Sequence, residues 1–134
     1  MAILIDTSVF IAYSNTDDVH HEKALKIIKD IVSKKYGNPL ISDYIFDEIV
    51  TVSSRKTGKK MAINIGNVIL DSEIVMIKVD KIIFQDAWAI FQSEENMSFT
   101  DCTNIATMRM FNITHIATFD KAFGKIKNIE VVLN

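Results

Sequence analysis

The sequence predicts a single α/β domain whose central parallel β-sheet is covered by helices on both faces. Three observations carry this expectation. Short apolar runs rich in Ile and Val alternate with longer segments of helical periodicity, and strands separated by helices pair in parallel. The chain has 134 residues, 49% of them hydrophobic, which suits one compact core without a second domain. No repeat, low-complexity stretch or linker interrupts the alternation.

The elements follow in order. "AILID" (2–6) is short, Ile-rich and stops at a polar residue, as a buried strand does. A short helix follows from Thr7 or Ser8 to about Tyr13. After the polar turn "SNTDD", Ala24, Leu25, Ile27, Ile28, Ile31 and Val32 recur at helical spacing, predicting a helix from about Val19 to Lys34 capped by Asp17 or Asp18. "YGNPL" holds Gly37 and the only proline, Pro39, and turns the chain into a brief strand "LIS". Helices from about Asp43 to Lys56 and from Lys60 to Leu70 are separated by "TGKK". "EIVMIKV" (73–79) is β-branched and reads as a strand. Ile83, Phe84, Ala87, Trp88, Ile90 and Phe91 form the clearest helical face, between Lys81 and about Glu95, with its aromatics in the core or at a subunit contact. "SFTDCTNIATMRM" (98–110) predicts an amphipathic helix. It is followed by the strand "HIATFD" (115–120), a helical turn near Ala122 to Gly124 and the strand "IEVVL" (129–133).

Composition narrows function by exclusion. A net charge of -2 argues against a protein that coats nucleic acid by bulk charge, while leaving room for a local basic patch such as "RKTGKK" (55–60). That stretch reads equally as a phosphate-contacting patch or a solvated turn. Cys102 is the only cysteine, so no intramolecular disulfide forms, and the N-terminus lacks the pattern of a secretory signal. A cytoplasmic protein is expected. No apolar run reaches the roughly 18 to 20 residues of a membrane span.

In open α/β sheets reactive groups gather beyond the carboxyl ends of the strands. Asp6 ends the first strand, Asp120 follows the fourth, and Asp101 heads the helix leading into the fourth. Glu48 lies one turn into the helix after the second strand, between Ile45 and Ile49. Four convergent carboxylates repel one another unless a hard cation joins them, and oxygen donors of this kind suit Mg²⁺ or Mn²⁺. Such an ion lowers the pKa of a bound water and screens a phosphodiester under attack, so the chemistry implied is metal-assisted phosphodiester hydrolysis. Asp101 has a second reading, because Ser98 and Asp101 together also match a helix capping box.

"LIDTSVFIA", "DEIVT", "SFTDCTNIATM" and "IATFDKAF", in that order over nearly the whole chain, resemble the four acidic motifs of PIN-domain ribonucleases, particularly VapC-type toxins of toxin–antitoxin pairs. The segment "DDVHHEKA" is similar to the family as well. The resemblance implies Mg²⁺ or Mn²⁺ dependence, endonucleolytic cleavage of an RNA substrate, a small antitoxin partner and a homodimer. By position it implies that Asp6, Glu48, Asp101 and Asp120 are the catalytic metal-site acids, with Thr7 and Thr118 as auxiliary polar residues. His20 and His21 read as helix-start or interface residues, since the site favours hard oxygen donors. Cys102 reads as a small buried helix residue. Arg109 either contacts RNA or covers a surface.

Other functions start from similar residues. A PIN-domain nuclease working without an antitoxin, or a PIN-like fold used only for binding, fits the same motifs. A haloacid-dehalogenase-type phosphatase needs a second acid two residues after the strand-terminal Asp, where Ser8 stands. A response-regulator receiver would press Asp80 into the phosphoacceptor role and leave Asp120 without a place.

Overall fold

The computed structural model describes residues 1–132. Its strands are β1 (Ala2–Ile5), β2 (Asn38–Ser42), β3 (Val75–Ile77), β4 (His115–Ala117) and β5 (Glu130–Val132). Its helices are α1 (Thr7–Ser14), α2 (His21–Val32), α3 (Asp43–Thr57), α4 (Lys59–Leu70), α5 (Lys81–Ser93) and α6 (Phe99–Met110), followed by a 3₁₀ turn at Lys121–Lys125. Residue 133, the last of the expected fifth strand, lies outside the described residues. The strands form one sheet in the order β3-β2-β1-β4-β5, and every pairing is parallel.

Ile3, Leu4 and Ile5 are all fully buried. Successive strand side chains point to opposite faces, so helices cover both faces of β1, as expected. Ile27 and Ile31 of α2, Ile45 and Ile49 of α3, and Ile105 of α6 complete the core with Phe123 of the 3₁₀ turn. Strand order reverses between β1 and β4, and the register Ile5↔Ala117 brings both strands to an end side by side. Asp6 and Thr118 are the next residues, at the topological switch point where α/β sheets open a crevice.

Several expectations need correction. β3 is three residues long because the chain peels off early: the Val79 N–H donates to Asp43 Oδ1 (2.9 Å), and Asp80 caps α5 by accepting from Ile83 N (2.9 Å). Pro39 lies inside β2, where its missing donor is tolerated, because β3 begins only opposite Leu40 and leaves that flank of β2 unpaired. α2 starts at His21, and its N-cap is His20 with no side-chain cap bond. Asp18 accepts from the His20 N–H (2.8 Å) instead, fixing the approach to the helix rather than capping it. α6 is not amphipathic at its centre, since all residues from Cys102 to Met108 are buried. On α5, Ile83, Ala87 and Ile90 enter the core. Phe84, Trp88 and Phe91 remain partly exposed and surround Phe99, with ring centroids 5.2 to 6.1 Å away. Among the described residues no helix is long and apolar enough to cross a membrane.

Candidate active site

Elements that are far apart in sequence converge beyond β1 and β4. A cavity of about 290 Å³ is lined by Asp6 and Thr7 at the end of β1, Glu48 of α3, Asp101 of α6, and Asp120 after β4. All four acids singled out from the sequence therefore share one hollow. Thr118 is fully buried just beneath it. A second hollow, of about 310 Å³, is mainly apolar, and the one acid in its lining, Glu73, is paired with Lys34 (3.0 Å), so it gathers no acid cluster for this chemistry.

Asp6 is the most tightly held acid. Its side chain caps α1, with the Thr7 N–H donating to Oδ1 (2.8 Å). The Thr118 hydroxyl donates to Oδ2 (2.7 Å), the Ser8 hydroxyl donates to the same oxygen (3.0 Å), and Asn104 Nδ2 approaches Oδ1 (3.4 Å). Burial still wins over these donors. It raises the Asp6 pKa, with the Glu48 charge adding to the rise, because desolvation disfavours the ionised form. Thr118 also accepts from the Asp120 N–H (3.0 Å), so one hydroxyl ties two of the acids together. Asp120 itself caps the 3₁₀ turn through Ala122 N (2.9 Å).

Asp101 caps its helix and also lines the cavity. Ser98 Oγ accepts from the Asp101 N–H (3.1 Å), and Asp101 Oδ2 accepts from the Ser98 N–H (3.3 Å), which closes a reciprocal capping box. The same carboxyl faces the cavity, and its pKa is pushed up to about 7 by burial first and then by the charges of Asp6 and Asp120. A capping carboxylate at a helix N-terminus is ordinarily favoured as the anion. Here burial and crowding by other acids override that preference.

The donor set fits a hard divalent cation. Its oxygens are those of carboxylates and hydroxyls, beside one imidazole, His20, and the Thr7 hydroxyl is a buried oxygen with no hydrogen-bond partner among the described residues. No three His, Cys, Asp or Glu side chains among the described residues are gathered closely enough to form a ready-made cage. Mg²⁺ needs no such cage, since it keeps several waters and takes one or two carboxylates plus substrate phosphate.

The sequence reading missed two supports of Asp6. Asn104 is fully buried one helical turn after Asp101, and an amide in the middle of a buried helix is the signal that pointed to it. Ser8, weighed only as a missing acid, bridges the Asp6 carboxylate and the Phe119 N–H (3.1 Å). His20 starts α2 as expected, and it also lines the cavity, stacked on Phe119 with ring centroids 4.4 Å apart. His21 is held by the Ala12 carbonyl (2.7 Å). Cys102 is buried, and Asp80 is occupied as a helix cap, away from any receiver-like role.

Comparison with known proteins places this arrangement. A PIN-domain family model matches residues 3–129. The 23S rRNA-specific endonuclease VapC20 of Mycobacterium tuberculosis is 27% identical over 131 residues, spanning 96% of this chain and 97% of that protein. A VapC ribonuclease of Archaeoglobus fulgidus is 30% identical over 105 residues, 75% of this chain and 66% of that protein. The crystal structure of VapC20, described as a sarcin–ricin loop cleaving toxin, superposes with a TM-score of 0.85 at 25% identity, covering 98% and 99% of the two chains. Residues 3–129 carry all four convergent acids, and with that match the chain belongs to the PIN-domain family.

Proposed function

We propose that this protein is a Mg²⁺- or Mn²⁺-dependent endoribonuclease acting in the cytoplasm as the toxin of a toxin–antitoxin pair. The observation that carries the reading is the convergence of Asp6, Glu48, Asp101 and Asp120 on one cavity at the switch point of a PIN-family sheet. One or two of these acids would hold the ion directly and the others would face its waters, and when bound the ion would supply a water of lowered pKa and neutralise charge at the phosphodiester. The chain's own residues prepare the place. Ser8, Thr118, Asn104 and the Thr7 N–H fix the Asp6 carboxylate in one orientation. Burial and the charges of Asp6 and Asp120 let Asp101 hold its proton to about pH 7, a proton it would give up in holding a cation. The relatives named as a 23S rRNA-specific endonuclease and a ribonuclease support RNA as the substrate, and the description of VapC20 as a toxin supports an antitoxin as the partner.

The test is cleavage of RNA by the purified protein, beginning with a 23S rRNA fragment that contains the sarcin–ricin loop, because VapC20 carries that description. Cleavage with Mg²⁺ or Mn²⁺ that stops on adding EDTA is expected; cleavage unchanged in EDTA overturns the metal reading. Growth arrest on expression, relieved by co-expressing the adjacent gene's product, tests the toxin role. A homodimer would cover the exposed Ile82, Phe84 and Trp88 of α5, and sedimentation over a range of concentrations reads it.

A further inference from the structure

We propose that the corner joining α3 to α4 is a phosphate-backbone clamp that guides the RNA strand into the acidic cavity. The inference rests on the nuclease reading above and adds the residues that bind the substrate outside the acids. Residues 49–70 contain no Asp or Glu, yet they hold Arg55, Lys56, Lys59 and Lys60 in a chain of net charge -2. All four cations are exposed, and among the described residues none lies within ion-pairing distance of a carboxylate.

Helix electrostatics explains only half of the cluster. Arg55 and Lys56 stand in the last turn of α3, where cations complement the negative end of the dipole. Lys59 and Lys60 occupy the first turn of α4, where cations oppose it, with no acid in that turn and no side-chain cap. Gly58, at φ 96°, makes the sharp turn that sets the two pairs side by side. Local stability therefore works against the α4 half of this arrangement, whereas a polyanion laid across the corner favours both halves.

The corner is also continuous with the site. Glu48, Val52 and Lys56 recur at intervals of four along α3, and all three line the acidic cavity. Lys56 stands about 12 Å along the helix axis from Glu48, so it meets a phosphate neighbouring the one at the acids rather than the same one. Arg55 and Lys59 lie on the other side of the helix pair, along an open groove of about 600 Å³ floored by Phe46, Val50 and Ala62. Arg55, Lys59 and Lys56 thus form a track that leads from that groove to the cavity, with Lys60 beside Lys59 in the first turn of α4.

The experiment is fluorescence anisotropy of a labelled single-stranded RNA in EDTA, where the metal is removed, titrated over a range of salt and paired with cleavage assays in Mg²⁺. For single strands the affinity falls with a log–log slope of about 0.7 per phosphate contact. K59Q/K60Q is expected to weaken binding and to reduce that slope by about 1.4, while K56Q reduces it by about 0.7. K29Q/K127Q removes the same charge from exposed positions near the amino edge of the sheet, and wild-type affinity is expected there. Wild-type binding and slope in K59Q/K60Q and K56Q, with RNA cleavage intact, overturns the clamp and leaves the nuclease reading standing. Loss of binding to an acidic peptide without loss of RNA binding assigns the corner to a protein partner and also overturns the clamp. A wild-type protein that neither binds nor cleaves RNA removes both readings.

Discussion

Two acids facing the same cavity are held in opposite ways. Asp6, at the end of a central strand, is buried and surrounded by four donors contributed by α1, α6 and the segment after β4. Asp101, at the head of a helix, has one partner residue, Ser98, and is pressed by the charges of Asp6 and Asp120. Desolvation raises the pKa of both, but it meets hydrogen bonds at one and like charge at the other. Asp6 is therefore positioned by the protein whether or not a ligand is present, while Asp101 stays strained until something positive arrives. Preorganisation and electrostatic demand are separate properties, and this site divides them between two residues.

The most severe way to break the comparison is Asp6→Asn. The amide preserves shape but removes the charge at the best-positioned acid, so RNA cleavage should fall by more than the roughly 10- to 100-fold typical of losing an outer partner of a metal ligand. Circular dichroism should still show a folded protein, because the change also relieves a desolvated carboxylate. Near-wild-type turnover in this variant would remove Asp6 from the site.

Thr118→Val follows in size. It deletes the 2.7 Å donor to Asp6 and the acceptor for the Asp120 N–H while leaving every acid in place. Cleavage and the apparent affinity for Mg²⁺ should drop by about 10- to 100-fold, the range for an outer partner. If the variant cleaves at the wild-type rate with scarce Mg²⁺, then the hydroxyl holds the fold and not the acids.

The same contrast decides what was legible in the sequence. Asp6, Asp101 and Asp120 were visible because each follows a strand or heads a helix, positions that a parallel sheet brings to one edge, and Glu48 because it is an acid set between Ile45 and Ile49 inside a helix. The sheet itself was legible from Ile-rich runs such as "AILI", since a strand buried on both faces leaves an unbroken apolar signature. Asn104 and Ser8 were not legible in that way. Their roles depend on register across α6 and β4, which only tertiary packing fixes. The cap of α2 was misplaced for a related reason. Asp18 satisfies the His20 N–H, which the composition of "TDDVHH" does not distinguish from capping the helix itself.

Melting curves in EDTA sharpen the electrostatic half of the comparison. Asp101 releases its proton near pH 3.8 when unfolded and near 7 when folded, so between those values the unfolded chain binds fewer protons and stability falls as pH rises. The penalty is complete above about pH 7, and the raised Asp6 pKa acts in the same direction. The metal-free melting temperature should therefore be higher near pH 5 than near pH 8. Millimolar Mg²⁺ should raise it most at pH 8, because a ligand bound only by the folded state stabilises that state. Asp101→Asn should flatten the pH dependence, hold or raise metal-free stability, and shrink the Mg²⁺ shift. A steep slope persisting in this variant would place the titrating group elsewhere.

The smallest expected effect comes from Ser98→Ala, which separates the cap from the charge. Asn at position 101 keeps an oxygen able to accept from the Ser98 N–H, so Asp101→Asn tests charge with the box largely preserved. Ser98→Ala does the reverse: it deletes the hydroxyl that accepts from the Asp101 N–H and leaves the carboxylate facing the cavity. Loss of an N-cap side chain costs about 1 kcal/mol, so the melting temperature should fall by a similar amount at pH 5 and at pH 8. The slope between those two pH values should persist or steepen slightly, because burial, Asp6 and Asp120 still raise the Asp101 pKa while the lost Ser98 side-chain hydrogen bond had lowered it. If Ser98→Ala abolishes the slope as Asp101→Asn does, the capping box itself sets the proton affinity of Asp101, and its two roles are one.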